Sequence, residues 1–233
     1  MTPVLEAHGL RKVYQGGDGR AIQVLSGVNL EVARGEFVAI VGESGSGKST
    51  LLHLLGGLDR PTDGTVSLDG RGYHTLGASE LAALRNRSVG FVFQFHHLLR
   101  DFTALENVLI PMQIAGIAEQ DARPRAESLL AGVGLAARFE HRPSALSGGE
   151  QQRVAVARAL ATQPAVVLAD EPSGNLDRPT AERLHELLGS LAVEFQTALV
   201  VVTHNPSLAA RADRILAVQD GLLVPSDGLE GHP

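Results

Sequence analysis

The chain has 233 residues, 44% hydrophobic and 20% charged, with a formal net charge of −6. That balance suits one sizeable globular domain, or a domain with a subdomain, and argues against a nucleic-acid-coating surface, which shows a basic excess. There is no cysteine, which excludes disulfides, zinc–thiolate sites and cysteine nucleophiles.

The opening MTPVLEAHGLRKVY lacks the apolar run of a signal peptide, and the longest apolar stretches, such as ALVVV at 198–202, are far too short to span a bilayer. A cytoplasmic protein is expected; any work at a membrane must be done through another chain.

In chain order, VLEAHGLRKVY (4–14) and AIQVLSGVNLEV (21–32) read as strands joined across QGGDGR (15–20), where glycine and aspartate favour a turn. FVAIVG (37–42) is a continuous apolar run ending in glycine, followed by the helical pattern STLLHLLGGL (49–58). VGFVF (89–93), AVVLAD (165–170), ALVVVT (198–203) and RILAV (214–218) repeat the apolar-run pattern. Such runs predict strands buried on both faces, hence a parallel sheet. Helical patterns at 150–161 (EQQRVAVARALA) and 180–195 (TAERLHELLGSLAVEF) alternate with them, so the core is expected to be α/β. The stretch 100–163 is rich in alanine and leucine and has no strand-like run. The expected organisation is a single domain over 1–233. Residues 1–35 form a mainly antiparallel β subdomain, 36–99 and 164–223 the α/β core, 100–163 an inserted helical subdomain, and 224–233 a polar, loosely ordered tail.

GESGSGKST (42–50) fits the phosphate-loop pattern G-x-x-x-x-G-K-[ST] and stands between a predicted strand and a predicted helix, the context that the motif requires. Gly42, Gly45 and Gly47 let main-chain N–H groups turn inward around an anion; Glu43, Ser44 and Ser46 complete the loop. The helix start at Ser49 and Thr50 points its positive dipole end at the phosphates. Lys48 reaches the outer phosphates, and the Ser49 hydroxyl can hold Mg²⁺. The motif by itself says only that a nucleoside triphosphate binds.

AVVLADE (165–171) supplies an acidic pair at the carboxyl end of a buried strand. Asp170 is placed to hold Mg²⁺ directly or through water. Glu171 cannot point the same way and is placed to polarise the attacking water as a general base.

LSGGE (146–150), taken with GESGSGKST, LADE and VVTHN in that order, resembles the ATP-binding-cassette ATPases over nearly the whole chain. The resemblance implies an ABC-type P-loop fold: a RecA-like, mostly parallel core with an N-terminal antiparallel β subdomain and an inserted α-helical subdomain. It implies an Mg-dependent ATPase with ATP and Mg²⁺ as cofactors. Ser147, Gly148 and Gly149, at a helix N-terminus, would bind the γ-phosphate held by a second copy, in a head-to-tail homodimer that closes on two ATP. His204 would contact the γ-phosphate. Asp177, in SGNLD (173–177), would line the dimer interface, and Tyr14 would stack on adenine. Gln94 matches the glutamine that reaches Mg²⁺ and the attacking water.

The segment QFHHLLRDF (94–102) raises a separate question. Adjacent side chains diverge on a helix or a strand, so His96 and His97 do not form a metal pair. In the resembling family this segment receives a short helix of an integral membrane subunit, which gives Phe95, His96, His97, Leu98 and Leu99 a docking role. At least two of Phe95, Leu98, Leu99 and Phe102 are expected to pack inside the helical subdomain instead.

FQFHHLL and DFTALENV (101–108), with ADEPSGNLD and VYQGGDGRAIQVLSGV, are most similar to the ATPase subunits of bacterial lipoprotein-releasing systems. That implies a peripheral protein on the cytoplasmic face of the inner membrane. Arg100, where a proline is expected, and Gln151, where arginine is common, depart from the pattern. Gln151 is expected to matter little to the chemistry. The ATPases of macrolide or peptide efflux and of cell-division complexes are near alternatives. A soluble cassette ATPase of DNA repair or translation is the alternative of another class. The single phosphate loop, the single LSGGE and the lack of a long heptad run argue against that last reading, and no nucleic-acid partner is expected.

Overall fold

The computed structural model describes residues 3–17 and 19–226. Strands β1 (Pro3–Gln15) and β2 (Ala21–Ala33) pair antiparallel, as their sequence predicts. β3 (Phe37–Val41) leads into helix α1 (Lys48–Leu55). β4 (Asp63–Leu68) and β5 (Arg71–Gly72) follow, then α2 (Ala78–Ser88) and β6 (Val89–Phe93). Three helices occupy the middle: α3 (Ala104–Ile114), α4 (Glu119–Gly132) and α5 (Gly148–Ala159). β7 (Val166–Asp170), α6 (Arg178–Phe195), β8 (Ala198–Val202), α7 (Pro206–Ala209), β9 (Arg214–Gln219) and β10 (Leu222–Pro225) complete the described chain.

Two sheets result. The first has the order β2-β1-β4-β5, so β4 and β5 join the N-terminal strands. The second has the order β10-β9-β3-β8-β7-β6. β6, β7, β8, β3 and β9 run parallel, and β10 closes the edge antiparallel to β9. Val224 and Pro225, read from sequence as the start of a tail, belong to β10 and pair with Ala217 and Leu216; 227–233 lie outside the described residues.

The apolar runs sort their side chains by strand alternation. Val38, Ile40, Val166, Leu168, Val200 and Val202 face one core, shared with α1 and the antiparallel sheet. Val167, Ala169, Leu199 and Val201 face the other, shared with α3, α4, α5 and α6. Each central strand is therefore covered on both sides, which is why it shows no polar alternation. The carboxyl ends of β3, β6, β7 and β8 all open at one edge of the sheet, where ligands of open α/β sheets bind.

α3 begins where its sequence dictates. Thr103 Oγ1 accepts from Glu106 N at 3.2 Å, and Thr103 N donates to Glu106 Oε2 at 2.7 Å, a reciprocal capping box. α5 starts the same way at Ser147 and Glu150.

Candidate functional site

The phosphate loop leaves β3 at Val41 and ends at Gly47, the N-cap of α1, with φ 103°. A Cβ at Gly47 would lie 2.8 Å from Val24 Cγ1, so the loop presses directly on β2. Lys48 Nζ donates to the carbonyls of Gly42 at 2.9 Å and Glu43 at 2.7 Å. Its ammonium is thereby drawn across the loop, with one donor left over. Ser46 Oγ is buried and has no partner within the chain. Beside the loop lies a cleft of about 870 Å³ lined by residues 22–24, 42–46 and 217–221. Ser49 and Thr50 stand in the first turn of α1.

Tyr14 pairs with Ile22 across β1 and β2, and directly paired residues share a face, so its ring stands next to the cleft wall. The hydroxyl donates to Asp59 Oδ2 at 3.0 Å, and Lys12 Nζ sits 4.8 Å from the ring centroid. One face of the ring is thus covered by a cation.

Asp170 ends β7, paired with Phe93 on β6 and Val202 on β8. By alternation with Leu168 it lies on the α1 side of the sheet. Glu171 then breaks the strand: its φ is 45°, a left-handed conformation that costs a non-glycine residue about 1–3 kcal/mol. The turn aims the carboxylate at the end of β8. Thr203 Oγ1 donates to Glu171 Oε2 at 3.2 Å, His204 N donates to Oε1 at 3.0 Å, and His204 Nδ1 lies 2.7 Å from the same oxygen. A carboxylate only accepts, so Nδ1 carries the proton and Nε2 faces outward.

Gln94 follows β6 directly. Its Nε2 donates to Asn175 Oδ1 at 3.0 Å, and Asn175 Nδ2 donates back to the Gln94 carbonyl at 3.1 Å. The amide is therefore tied to the segment 173–177. Asp177 ends that segment as the N-cap of α6 and is exposed.

Ser147 caps α5. Its Oγ accepts from Glu150 N at 3.3 Å and its N–H donates to Glu150 Oε2 at 2.8 Å, while Arg138 Nε donates to Glu150 Oε1 at 3.0 Å. The Ser147 main-chain N–H, then Arg138 and the Ser147 hydroxyl, hold the Glu150 carboxyl down at about 2. First-turn N–H groups have no partner inside their helix, so the start at Gly148 and Gly149 presents main-chain donors of the kind that suit an anion. A Cβ at Gly149 would lie 2.5 Å from Thr180 Cγ2, which places the starts of α5 and α6 side by side. Among the described residues, no hydrogen bond or ion pair joins 147–149 to the phosphate loop.

The segment after Gln94 has no regular structure up to α3, yet its main chain is well anchored. Gln152, buried on α5, donates to the Phe93 carbonyl at 3.0 Å. Arg158 donates to the carbonyls of His96 and His97, both at 2.8 Å. Asn107, 1% exposed, accepts from Leu99 N at 2.8 Å and donates to the carbonyls of Leu99, Phe102 and Thr103. Sequence reading missed these three anchors, along with Thr203 and Asn175. The available signal was a polar residue at a buried helical position, as at Gln152 and Asn107.

His97 has φ 46° and its ring meets Phe93 edge-on at 5.5 Å. The His96 ring is partly buried, with Nδ1 unpartnered. Burial, then the charges of His97, Arg158 and Arg100, push its pKa below the ordinary histidine value. Of the four apolar residues here only Leu98 is buried, at 8%; Phe95, Leu99 and Phe102 are 66%, 46% and 42% exposed. The expectation that at least two pack inside is corrected. The anchors are polar and grip the backbone, which leaves the side chains outside. A groove of about 480 Å³ is lined by Phe95, His96, His97, Leu98, Arg100, Pro143, Ser144 and Gln151. Gln151 also donates to the Leu146 carbonyl at 2.9 Å, joining the groove to the turn that presents Ser147.

Comparison with known proteins identifies the family. The family model for the ABC transporter matches residues 25–174. The lipoprotein-releasing system ATP-binding protein LolD of Bordetella pertussis is 59% identical over 223 residues, covering 96% of each chain. The protein of the same name from Geobacter metallireducens is 53% identical, over 96% of this chain and 99% of the relative. Among solved structures, the dimeric post-hydrolysis state of the ATP-binding cassette MJ0796 bound to ADP and Pi is similar at a TM-score of 0.87. It shares 40% identity, over 98% of this chain and all of the other.

Proposed function

As a member of the ABC transporter family, with the cassette ATPase fold, this chain is one whose substrate cycle can be assigned; we propose that it is the ATP-hydrolysing subunit of a membrane complex that releases lipoproteins. The observation that carries this is the 59% identity to a lipoprotein-releasing ATPase over 96% of both chains. In that reading it works as a peripheral subunit on the cytoplasmic face of the bacterial inner membrane. No helix among the described residues is long and apolar enough to cross a membrane, so the crossing is made by partner subunits.

ATP lies with its phosphates in the loop 42–50, under Lys48 and at the N-terminus of α1, and with its base on the uncovered face of Tyr14. Ser49, Asp170 and Gln94 offer a hydroxyl, a carboxylate and an amide oxygen. That all-oxygen set fits Mg²⁺, which takes one or two carboxylates and completes its shell with phosphate oxygens and water. When bound, the cation neutralises developing charge on the outer phosphates.

Glu171 orients and deprotonates the attacking water, held by Thr203 and His204; for His204 to address the γ-phosphate, its outward Nε2 must carry a proton as well and donate it. The signature turn at Ser147, Gly148 and Gly149 is separate from its own phosphate loop. A second copy brings it onto the γ-phosphate, with Asp177 at the same interface. ATP thus closes two copies on each other and completes a charge cradle that neither has alone, and hydrolysis reopens them. Phe95, His96, His97, Leu98 and Leu99 form the docking surface for the membrane subunits, and Gln94 connects that surface to the site.

Co-purification tests the assignment. Tagged Glu171→Gln protein is trapped with Mg-ATP in native membranes, and bound chains are identified by mass spectrometry. Lipoprotein-releasing membrane subunits are expected. Efflux or cell-division membrane proteins would keep the chemistry and replace the cargo, and no membrane chain at all would overturn the reading.

A further inference from the structure

Resting on Gln94 as an oxygen donor to the cation, we infer that Asn175 is the positioning residue that decides which end of the Gln94 amide faces the metal. The reasoning starts at an atom of fixed character. The main-chain oxygen of Gln94 can only accept, and the Asn175 side chain lies 3.1 Å from it. The Asn175 end pointing there must be its NH₂ group. Its Oδ1, which can only accept, then lies 3.0 Å from the Gln94 side chain, and Gln94 must present Nε2 to it. Oε1 is left turned away from 173–177 and is the atom free to take a cation.

One carbonyl thus sets two amides in series. The approach is built into the neighbouring position as well, because a Cβ at Gly174 would lie 2.9 Å from Gln94 Nε2 and 3.2 Å from Cδ. Without Asn175, either end of the Gln94 amide can face the site, and its NH₂ end repels a cation.

The test is Mn²⁺ binding to the ATP complex, followed by electron paramagnetic resonance. Wild type, Asn175→Ala, Gln94→Ala and the double variant are compared, with matched thermal unfolding to show that each is folded. Asn175→Ala is expected to weaken Mn²⁺ binding about tenfold, the usual effect of removing a group that orients a metal ligand. Gln94→Ala should weaken it at least as much, and the double variant no further than Gln94→Ala alone, because Asn175 acts through Gln94. Asn175→Asp keeps an acceptor for Nε2 but loses the donor to the carbonyl, and should fall between. If Gln94→Ala binds Mn²⁺ poorly while Asn175→Ala binds it as wild type does, the positioning role is overturned and Gln94 remains a ligand. If Gln94→Ala binds normally, the ligand reading falls and this inference falls with it.

Discussion

His204 Nδ1 lies 2.7 Å from Glu171 Oε1, the shortest of three hydrogen bonds that fix this carboxylate. The strand end at β8 therefore decides where the acid that follows β7 points. The left-handed turn at Glu171, which a glutamate adopts only at a cost, is offset by those three bonds.

Glu171→Gln keeps the size and two of the acceptor geometries but cannot take a proton. Turnover should drop on the order of 10²–10⁴-fold with ATP binding retained. Phosphate release and nucleotide binding, measured on the same sample, check this; near-normal turnover removes Glu171 from the role of base.

His204→Ala keeps the main-chain donor to Glu171 and loses the shortest bond together with the outward Nε2. A loss on the order of 10²-fold in kcat is expected. Thr203→Val removes only the 3.2 Å bond to Oε2 and should cost less. The ranking of the two variants in steady-state ATPase assays is the check. A larger loss for Thr203→Val would put the weight on Oε2 instead.

Gly148→Ala and Gly149→Ala separate a surface role from a packing one. A Cβ at Gly148 meets nothing within 4 Å, whereas one at Gly149 meets Thr180. Gly149→Ala should lower stability by about 1–3 kcal/mol through overpacking. Gly148→Ala should unfold like wild type yet lose ATPase activity, because what it blocks lies on the other copy. Urea unfolding and ATPase assays on both variants decide; full activity in Gly148→Ala removes it from the phosphate surface.

Asn107→Ala leaves the Leu99 N–H and the Phe102 carbonyl without their partner, while the Leu99 and Thr103 carbonyls lose one donor and keep the main-chain N–H groups of Phe102 and residue 107. A destabilisation of about 2–4 kcal/mol is expected, since each buried group left unmade costs about 1–3 kcal/mol and some will reach water. Chemical denaturation measures it.

Glu150 gives a pH signature. Its carboxyl is held at about 2 in the folded chain against an ordinary 4.5. A depressed value means that the charged form stabilises the fold. The contribution is complete above pH 4.5 and is lost as pH falls toward 2. Glu150→Gln should be less stable by about 1 kcal/mol at neutral pH, with the gap narrowing as pH drops through that window. Urea titrations at several pH values would show it, and a constant gap would mean that the charge plays no part.

The central sheet and the phosphate loop at its edge are legible in the chain because they depend on local signals. Apolar runs mark β3, β7 and β8, and glycine spacing marks the phosphate loop. Two hairpins were also written locally but went unread. Asp69–Gly70 joins β4 to β5, and Asp220–Gly221 joins β9 to β10, each pair with both φ values positive. Asp-Gly between strands is the strongest short hairpin signal; β4 and β5 lack a strong apolar run to draw attention to it. Asn175 was not legible, Gln152 showed only as a polar residue at a buried helical position, and Arg158 was not legible either. Their partners are main-chain carbonyls 81, 59 and 61 or 62 residues away, and a carbonyl carries no sequence signature.

Helix α5 has a consequence for protein engineering. Its twelve residues span about 18 Å, with the signature turn at one end and the grip on His96 and His97 at the other. The loop 94–103 is not a portable module. Grafted into a relative without Gln152, Arg158 and Asn107, it would arrive with carbonyls unmatched and settle elsewhere. A transplant of this loop between such ATPases must therefore carry the loop, α3 and α5 as one block.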